Sequence, residues 1–147
     1  MTHIHVSNRQ RSFNLKIKWL ENLSTLALAD CLKRPALKGA VLSKLETVEA
    51  VIVSDRVMAA VHKRFLNERG PTDVITFDHG EILIGVQTAR TNAAKYKNPL
   101  TVEIGLYIIH GLLHLHGYTD LQKTEAKMME KMQASILNAC LKRLKED

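Results

Sequence analysis

Two histidines four residues apart, His110 and His114, are followed by Gly117 and, six residues past the second imidazole, by Asp120. On a helix, side chains four apart differ by ~40° of rotation, so this pair projects from one face. Imidazole nitrogen suits Zn²⁺, and a tetrahedral zinc site accepts a carboxylate among its ligands. Gly117 allows the positive φ with which a chain leaves a helix, so Asp120 can fold back toward the pair. Three such ligands with an open fourth position are how catalytic zinc is usually held. Asp120 has a plainer reading too, as an acid near the positive end of the last helix. His116 points to the opposite side of the helix from His114 and falls outside the ligand set. A zinc peptidase of the H-E-x-x-H kind carries its general base where this chain has Gly111, so that class is disfavoured.

The elements that position these residues are legible in outline. Residues 4–6 can open a short strand. Residues 13–32 repeat apolar side chains at helical spacing, and Arg34-Pro35 ends that helix. Residues 37–45 read as a second short helix. Residues 48–53, Val-Glu-Ala-Val-Ile-Val, read as a buried strand, and Ser54 is a good N-cap for a helix over 55–66. A turn at 67–71 leads to strands over 72–77 and 81–84, close enough to pair antiparallel. Residues 86–96 read as a helix. Residues 100–116 are apolar almost all round, which makes them a central buried helix carrying the two histidines. Thr119 with Gln122 predicts a capping box for the last helix. The expectation is a single α+β domain over 1–147, a small mixed sheet of about four strands packed by helices, with the metal site on the central helix.

The chain has 147 residues, enough for one domain with a real core, and its 46% hydrophobic content excludes a disordered composition. A net charge of +6 points weakly toward a polyanion. With three Phe, three Tyr and one Trp, an aromatic platform for stacked bases is not expected. Cys31 and Cys140 match no zinc-ligand spacing and read as free thiols in a reducing compartment, so no disulfide is expected. No apolar run resembles a secretion signal or a membrane span, and a cytoplasmic protein is the expectation.

The stretch H-G-L-L-H-L-H-G-Y followed by a ligand resembles the signature of the YbeY family, bacterial metal-dependent endoribonucleases of ribosomal RNA maturation. Pro71-Thr72-Asp73-Val74-Ile75-Thr76-Phe77 is similar to that family's P-T-D-V-L-S-F strand. Gly80-Glu81-Ile82-Leu83-Ile84 is similar to its G-D-I-x-I strand, and Glu125, Ala126 and Met129 fall where it has E-A and M. The likeness covers about residues 48–130. It implies a zincin-like domain with one Zn²⁺ per chain. It also implies a single-strand-specific endoribonuclease that acts at the 3′ end of small-subunit ribosomal RNA and in ribosome quality control. The partners would be ribosomal RNA, its precursors, and the ribosome or its assembly proteins.

Two departures from the family pattern bear on the chemistry. The family motif ends G-Y-D-H, its last His being the third ligand, and Asp120 takes that place here. The extra negative charge should weaken the ion as a Lewis acid. The family also has an Arg before its P-T-D-V strand, and counting back from Pro71 that position is Leu66. With Gly at 111, the base must be an ion-activated water, a nearby acid such as Asp73 or Glu81, or the RNA itself. Asp73 reads equally well as the residue that caps the turn before its strand. Basic residues in the 56–69 region, namely Arg56, Lys63, Arg64 and Arg69, would bind phosphates. The competing readings are a weakly catalytic, metal-binding ribosome-assembly factor and an unassigned metal-dependent hydrolase.

Overall fold

The computed structural model describes residues 1–67, 70 and 72–146. In chain order the elements are β1 (His3–Asn8), α1 (Ile17–Lys33), β2 (Thr47–Val53), α2 (Asp55–Leu66), β3 (Val74–Phe77), β4 (Glu81–Gly85), α3 (Val86–Lys95), α4 (Leu100–Leu115) and α5 (Lys123–Glu146). The four strands form one mixed sheet in the order β1-β2-β4-β3. β1, β2 and β4 run parallel, whereas β3 turns back antiparallel on β4 with Val74 opposite Ile84 and Phe77 opposite Glu81. This is the expected α+β domain.

β2 is apolar on both faces because both faces are covered. Val48, Ala50 and Ile52 join Ile82 and Ile84 of β4 under α1, α4 and α5. Val51, Val53 and Leu83 point the other way, onto Met58 of α2. α4 is buried nearly all round, as its composition requires. It can lie so close to the sheet because of Gly111, where a Cβ would sit 2.7–3.0 Å from three atoms of Ile82.

α2 is held at its start as expected: Ser54 Oγ accepts from Val57 N at 3.3 Å. Asp55 then ties it to α3, accepting from Thr88 N at 3.1 Å and Thr88 Oγ1 at 2.6 Å.

Three elements differ from expectation. α1 begins at Ile17, because the Gln10 side chain both accepts from Phe13 N and donates to Phe13 O and holds that segment in a loop. Residues 37–45 are not a helix apart from a 3-10 turn at Leu42–Lys44. The backbone there is engaged elsewhere, because Val41 N and Leu37 N donate to Leu115 O and His116 O, the otherwise unpaired carbonyls at the end of α4. α5 starts at Lys123, and Thr119 bonds Glu125 instead of forming a box with Gln122. Residues 118–122 are thereby left free to carry Asp120 back toward α4.

Candidate metal centre

The end of α4 builds the site. Gly117 takes φ +97°, which only glycine adopts readily. Gly117 N donates to His114 O and Tyr118 N donates to Leu113 O, both at 3.0 Å, the paired bonds of a Schellman turn. That turn aims the Tyr118 carbonyl at His114, whose Nδ1–H donates to it at 2.9 Å. It also reverses the chain, bringing Asp120 Oδ2 to 3.5 Å from His110 Nε2 and 3.9 Å from His114 Nε2. On the other side His110 Nδ1–H donates to Gln133 Oε1 of α5.

These bonds fix both tautomers. With each Nδ1 carrying a proton, each Nε2 presents a lone pair, and the two Nε2 atoms lie 2.8 Å apart. Two lone pairs and a carboxylate oxygen therefore converge with no proton among them to share. Such a cluster repels itself unless a cation sits within it. The separations of 2.8, 3.5 and 3.9 Å straddle the spacing of about 3.3–3.6 Å that tetrahedral bonds of 2.0–2.2 Å would set. Burial, reinforced by the nearby His110 imidazole, holds His114 below its usual value of 6.5, against an upward pull from Asp120 and the Tyr118 carbonyl. His114 is therefore neutral at pH 7 and able to ligate. His110, His114 and Asp120 could hold a metal ion. Orienting partners such as Gln133 and the Tyr118 carbonyl are what keep ligating imidazoles in place.

The pair sits where two clefts meet. One, about 480 Å³, is lined by Asp73, Glu103, Tyr107, His110, Asp120 and Gln133 among others. The second, about 530 Å³, runs past Lys38, His62, Leu66, Thr76, His114 and Tyr118.

The other residues singled out from the sequence are placed as follows. Asp73 lines the first cleft, with Oδ1 accepting from Val74 N at 2.8 Å, so it also holds the start of β3. Glu81 lines neither cleft: it begins β4 opposite Phe77, with Oε1 3.7 Å from His79 Nε2. Lys63 and Arg64 are exposed on the last turn of α2, whose His62 and Leu66 face the second cleft. Arg56 is exposed at the opposite end of that helix, roughly 15 Å from Leu66 by helical rise. Arg69 and Pro71 lie outside the described residues. His116 is buried, its Nε2–H donating to Arg34 O at 2.8 Å, away from the site. Cys31 and Cys140 are free and buried, and burial pushes both thiols up, to about 12 and about 11. No helix among the described residues is long and apolar enough to cross a membrane.

Sequence reasoning missed Gln133, Glu103 and Tyr107. A signal existed for each. Gln133 interrupts the buried face of α5 between Met129 and Ile136. Glu103, Tyr107, His110 and His114 fall at i, i+4, i+7 and i+11 and form one polar stripe on an otherwise apolar helix.

A family model described as Endoribonuclease YbeY matches residues 5–141. The chain is 35% identical over 107 residues to an endoribonuclease YbeY of Acholeplasma laidlawii, an overlap covering 67% of this chain and 78% of that one. It is 31% identical over 120 residues to one of Parabacteroides distasonis, covering 72% and 84%. With one of Gluconobacter oxydans it is 30% identical over 95 residues, 60% of this chain and 56% of the relative's length. The solution structure of TM1509 from Thermotoga maritima superposes with a TM-score of 0.66, covering 97% of this chain and 92% of that one. At 23% identity this last likeness speaks for the fold.

Proposed function

Since the chain belongs to the YbeY endoribonuclease family, we propose that it is a zinc-dependent endoribonuclease of single-stranded RNA. Its substrates would be precursors of ribosomal RNA at the 3′ end of the small-subunit species, handled in the cytoplasm with the ribosome or its assembly proteins, in maturation and quality control. One observation supports this above the rest: His110, His114 and Asp120 direct unprotonated donor atoms at one point, open to two clefts.

When bound, the ion would polarise a phosphoryl oxygen and make a water more acidic. The chain's own residues do the remainder. Gln133 and the Tyr118 carbonyl fix the imidazoles so that Nε2 faces the ion. Asp73, which lines the first cleft with Oδ1 held by Val74 N, would take a proton from the attacking water as the new O–P bond forms, while the bond to the leaving ribose oxygen breaks and that oxygen takes a proton from solvent. Glu81 is the weaker candidate for that role, since it lines neither cleft. Lys38 lines the second cleft and Lys63 and Arg64 flank it, and these three would give the RNA backbone its positive contacts. Arg56 and Arg69 would extend that basic strip.

A second reading, a weakly catalytic metal-binding assembly factor, is favoured by Leu66. This residue lines the cleft at the position where the family carries Arg. Cleavage of a ribosomal RNA precursor by tag-free protein decides between them. The nuclease reading expects cleavage that needs added zinc, stops with chelator and weakens as salt rises. Binding of the precursor without zinc-dependent cleavage would leave the assembly role.

Asp120 offers a graded test. Asp120→His should keep the ion and raise cleavage several-fold, because a neutral ligand leaves more positive charge on the metal. Loss of the ion in that variant would remove Asp120 from the ligand set.

A further inference from the structure

Resting on the nuclease reading, we propose that Phe65, Phe77 and His79 form a stacking platform for unpaired bases of the RNA, at the mouth of the second cleft. The sparse aromatic content argues against such a platform in the sequence, but the fold gathers two of the three Phe and one imidazole at one place. Phe65 stands on the last turn of α2, whereas Phe77 and His79 belong to the β3–β4 hairpin. The Phe65 and Phe77 rings meet edge to face, with centroids 5.7 Å apart and planes at 76°. Phe77 and His79 lie nearly parallel, with centroids 5.4 Å apart and planes at 13°.

The rings are open to a ligand. Phe65 is 59% exposed, and the His79 side chain is 69% exposed. Exposed apolar side chains that stand singly are common and need no explanation. Three rings in contact are another matter, because each holds the next in one orientation. Flat, pre-positioned rings suit a flat ligand, and every nucleobase has a π-face whatever its identity.

Continuity with the metal centre puts the platform on the path of the strand. Phe77 lines the second cleft together with His110 and His114, so one wall runs from the donor atoms to the rings. Leu66 and Asp78, the chain neighbours of Phe65 and His79, line the same cleft. A strand with its scissile phosphate at the ion therefore lays flanking bases on these rings.

Charge selects a polyanion over an apolar protein partner. The Arg64 guanidinium lies 5.3 Å from the centre of the Phe65 ring, a cation–π contact that keeps positive charge beside the stacking surface. Lys63 is exposed on the same turn, and Lys38 lines the cleft. Among the described residues Asp78 is the single acid lining this cleft, whereas Asp73, Glu103, Asp120 and Glu130 line the first. Interleaved cations and rings are how single strands are held, phosphates on the cations and bases on the rings. A protein partner would ask for a continuous apolar patch, which Lys63, Arg64 and His79 interrupt. Stacking reads no base edges, so the platform holds unpaired RNA without choosing its sequence.

The test uses the full chain loaded with zinc and an oligoribonucleotide made abasic at one nucleotide at a time, on either side of the cut. Removing the stacked base should lower kcat/KM about tenfold, and so should Phe65→Ala, with Phe65→Tyr restoring cleavage. Combining the abasic site with Phe65→Ala should lose little more than either change alone, because both remove one contact. Phe65 is exposed, so the variant keeps its core. A second readout needs no cleavage. Adenosine 5′-monophosphate has no internucleotide bond and should shift the ring resonances of Phe65 and His79. Ribose 5-phosphate, the same sugar phosphate without a base, should leave them in place. Suppose instead that Phe65→Ala cleaves like the parent or weakens intact and abasic strands equally, and that the rings ignore the nucleotide. That result overturns the platform, assigns the face to a protein partner or to none, and leaves the nuclease reading intact. Base-dependent shifts in a protein that cleaves no RNA would keep the platform and overturn the nuclease reading instead.

Discussion

His114→Ala protein is expected to purify folded but without a bound ion, and to cleave RNA no faster than background. The side chain is held by one hydrogen bond, to the Tyr118 carbonyl, and its ring is only partly buried, so its removal leaves no large cavity. Its Nε2 is one of three donor atoms at the site. Losing an orienting partner alone costs about 10- to 100-fold in metal affinity, so losing a ligand costs more. Metal analysis after zinc reconstitution checks this, and a stoichiometric ion in the variant would remove His114 from the ligand set.

The same variant carries a pH signature in chelator. Burial and the nearby His110 imidazole hold His114 below 6.5 in the fold, so the unfolded chain takes up this proton more readily. More protons on the unfolded side mean that stability rises with pH and is lost as pH falls through the range near 6.5. Urea melts between pH ~5 and ~7.5 should show that slope in the parent protein and a flatter one in His114→Ala.

Gly117→Ala is expected to destabilise the domain and to disable the site together. A Cβ at 117 would lie 2.6 Å from Leu37 O, 2.8 Å from Leu37 C and 3.0 Å from Leu37 Cβ, at φ +97°. The carbonyl and carbon are backbone, and the loop they belong to is anchored by Leu37 N donating to His116 O. It cannot simply swing away. A left-handed conformation costs about 1–2 kcal/mol for a residue with a Cβ, and overpacking about 1–3 kcal/mol more. A loss of about 2–5 kcal/mol is a large share of the roughly 5–15 kcal/mol that stabilises a typical domain. Relief by shifting the turn would move the Tyr118 carbonyl off His114 and Asp120 off both histidines. Zinc affinity and the urea midpoint should therefore fall together. A variant with an unchanged midpoint and full zinc content would contradict this account of the turn.

What the sequence revealed of this site was its local part. His110, His114, Gly117 and Asp120 lie within eleven residues, and helical geometry relates them without reference to the rest of the fold. β2, α2 with its Ser54 cap, the β3–β4 pair and α4 were equally readable, because pattern and turn chemistry act over short range. What stayed hidden depends on distant partners. Residues 37–45 have a helical pattern but are drawn into irregular backbone by the carbonyls at the end of α4. Gln133 orients His110 from 23 residues away, on a helix whose docking angle no local rule supplies. Glu103 and Tyr107 were hidden differently, as single polar residues in a run that reads as apolar.

Gly111 limits where evolution can take this scaffold. One substitution, Gly111→Glu, would seem to turn the histidine pair into a peptidase motif. The first atom of the new side chain would already collide with Ile82, which is completely buried against the helix. Ile82 would have to shrink first, and truncating a buried isoleucine costs about 0.5–1.5 kcal/mol for Val and about 2–5 kcal/mol for Ala. The two changes are thus epistatic: neither helps alone, and the path between the two chemistries crosses a less stable intermediate. In this chain a core contact on β4 thus stands against the peptidase motif.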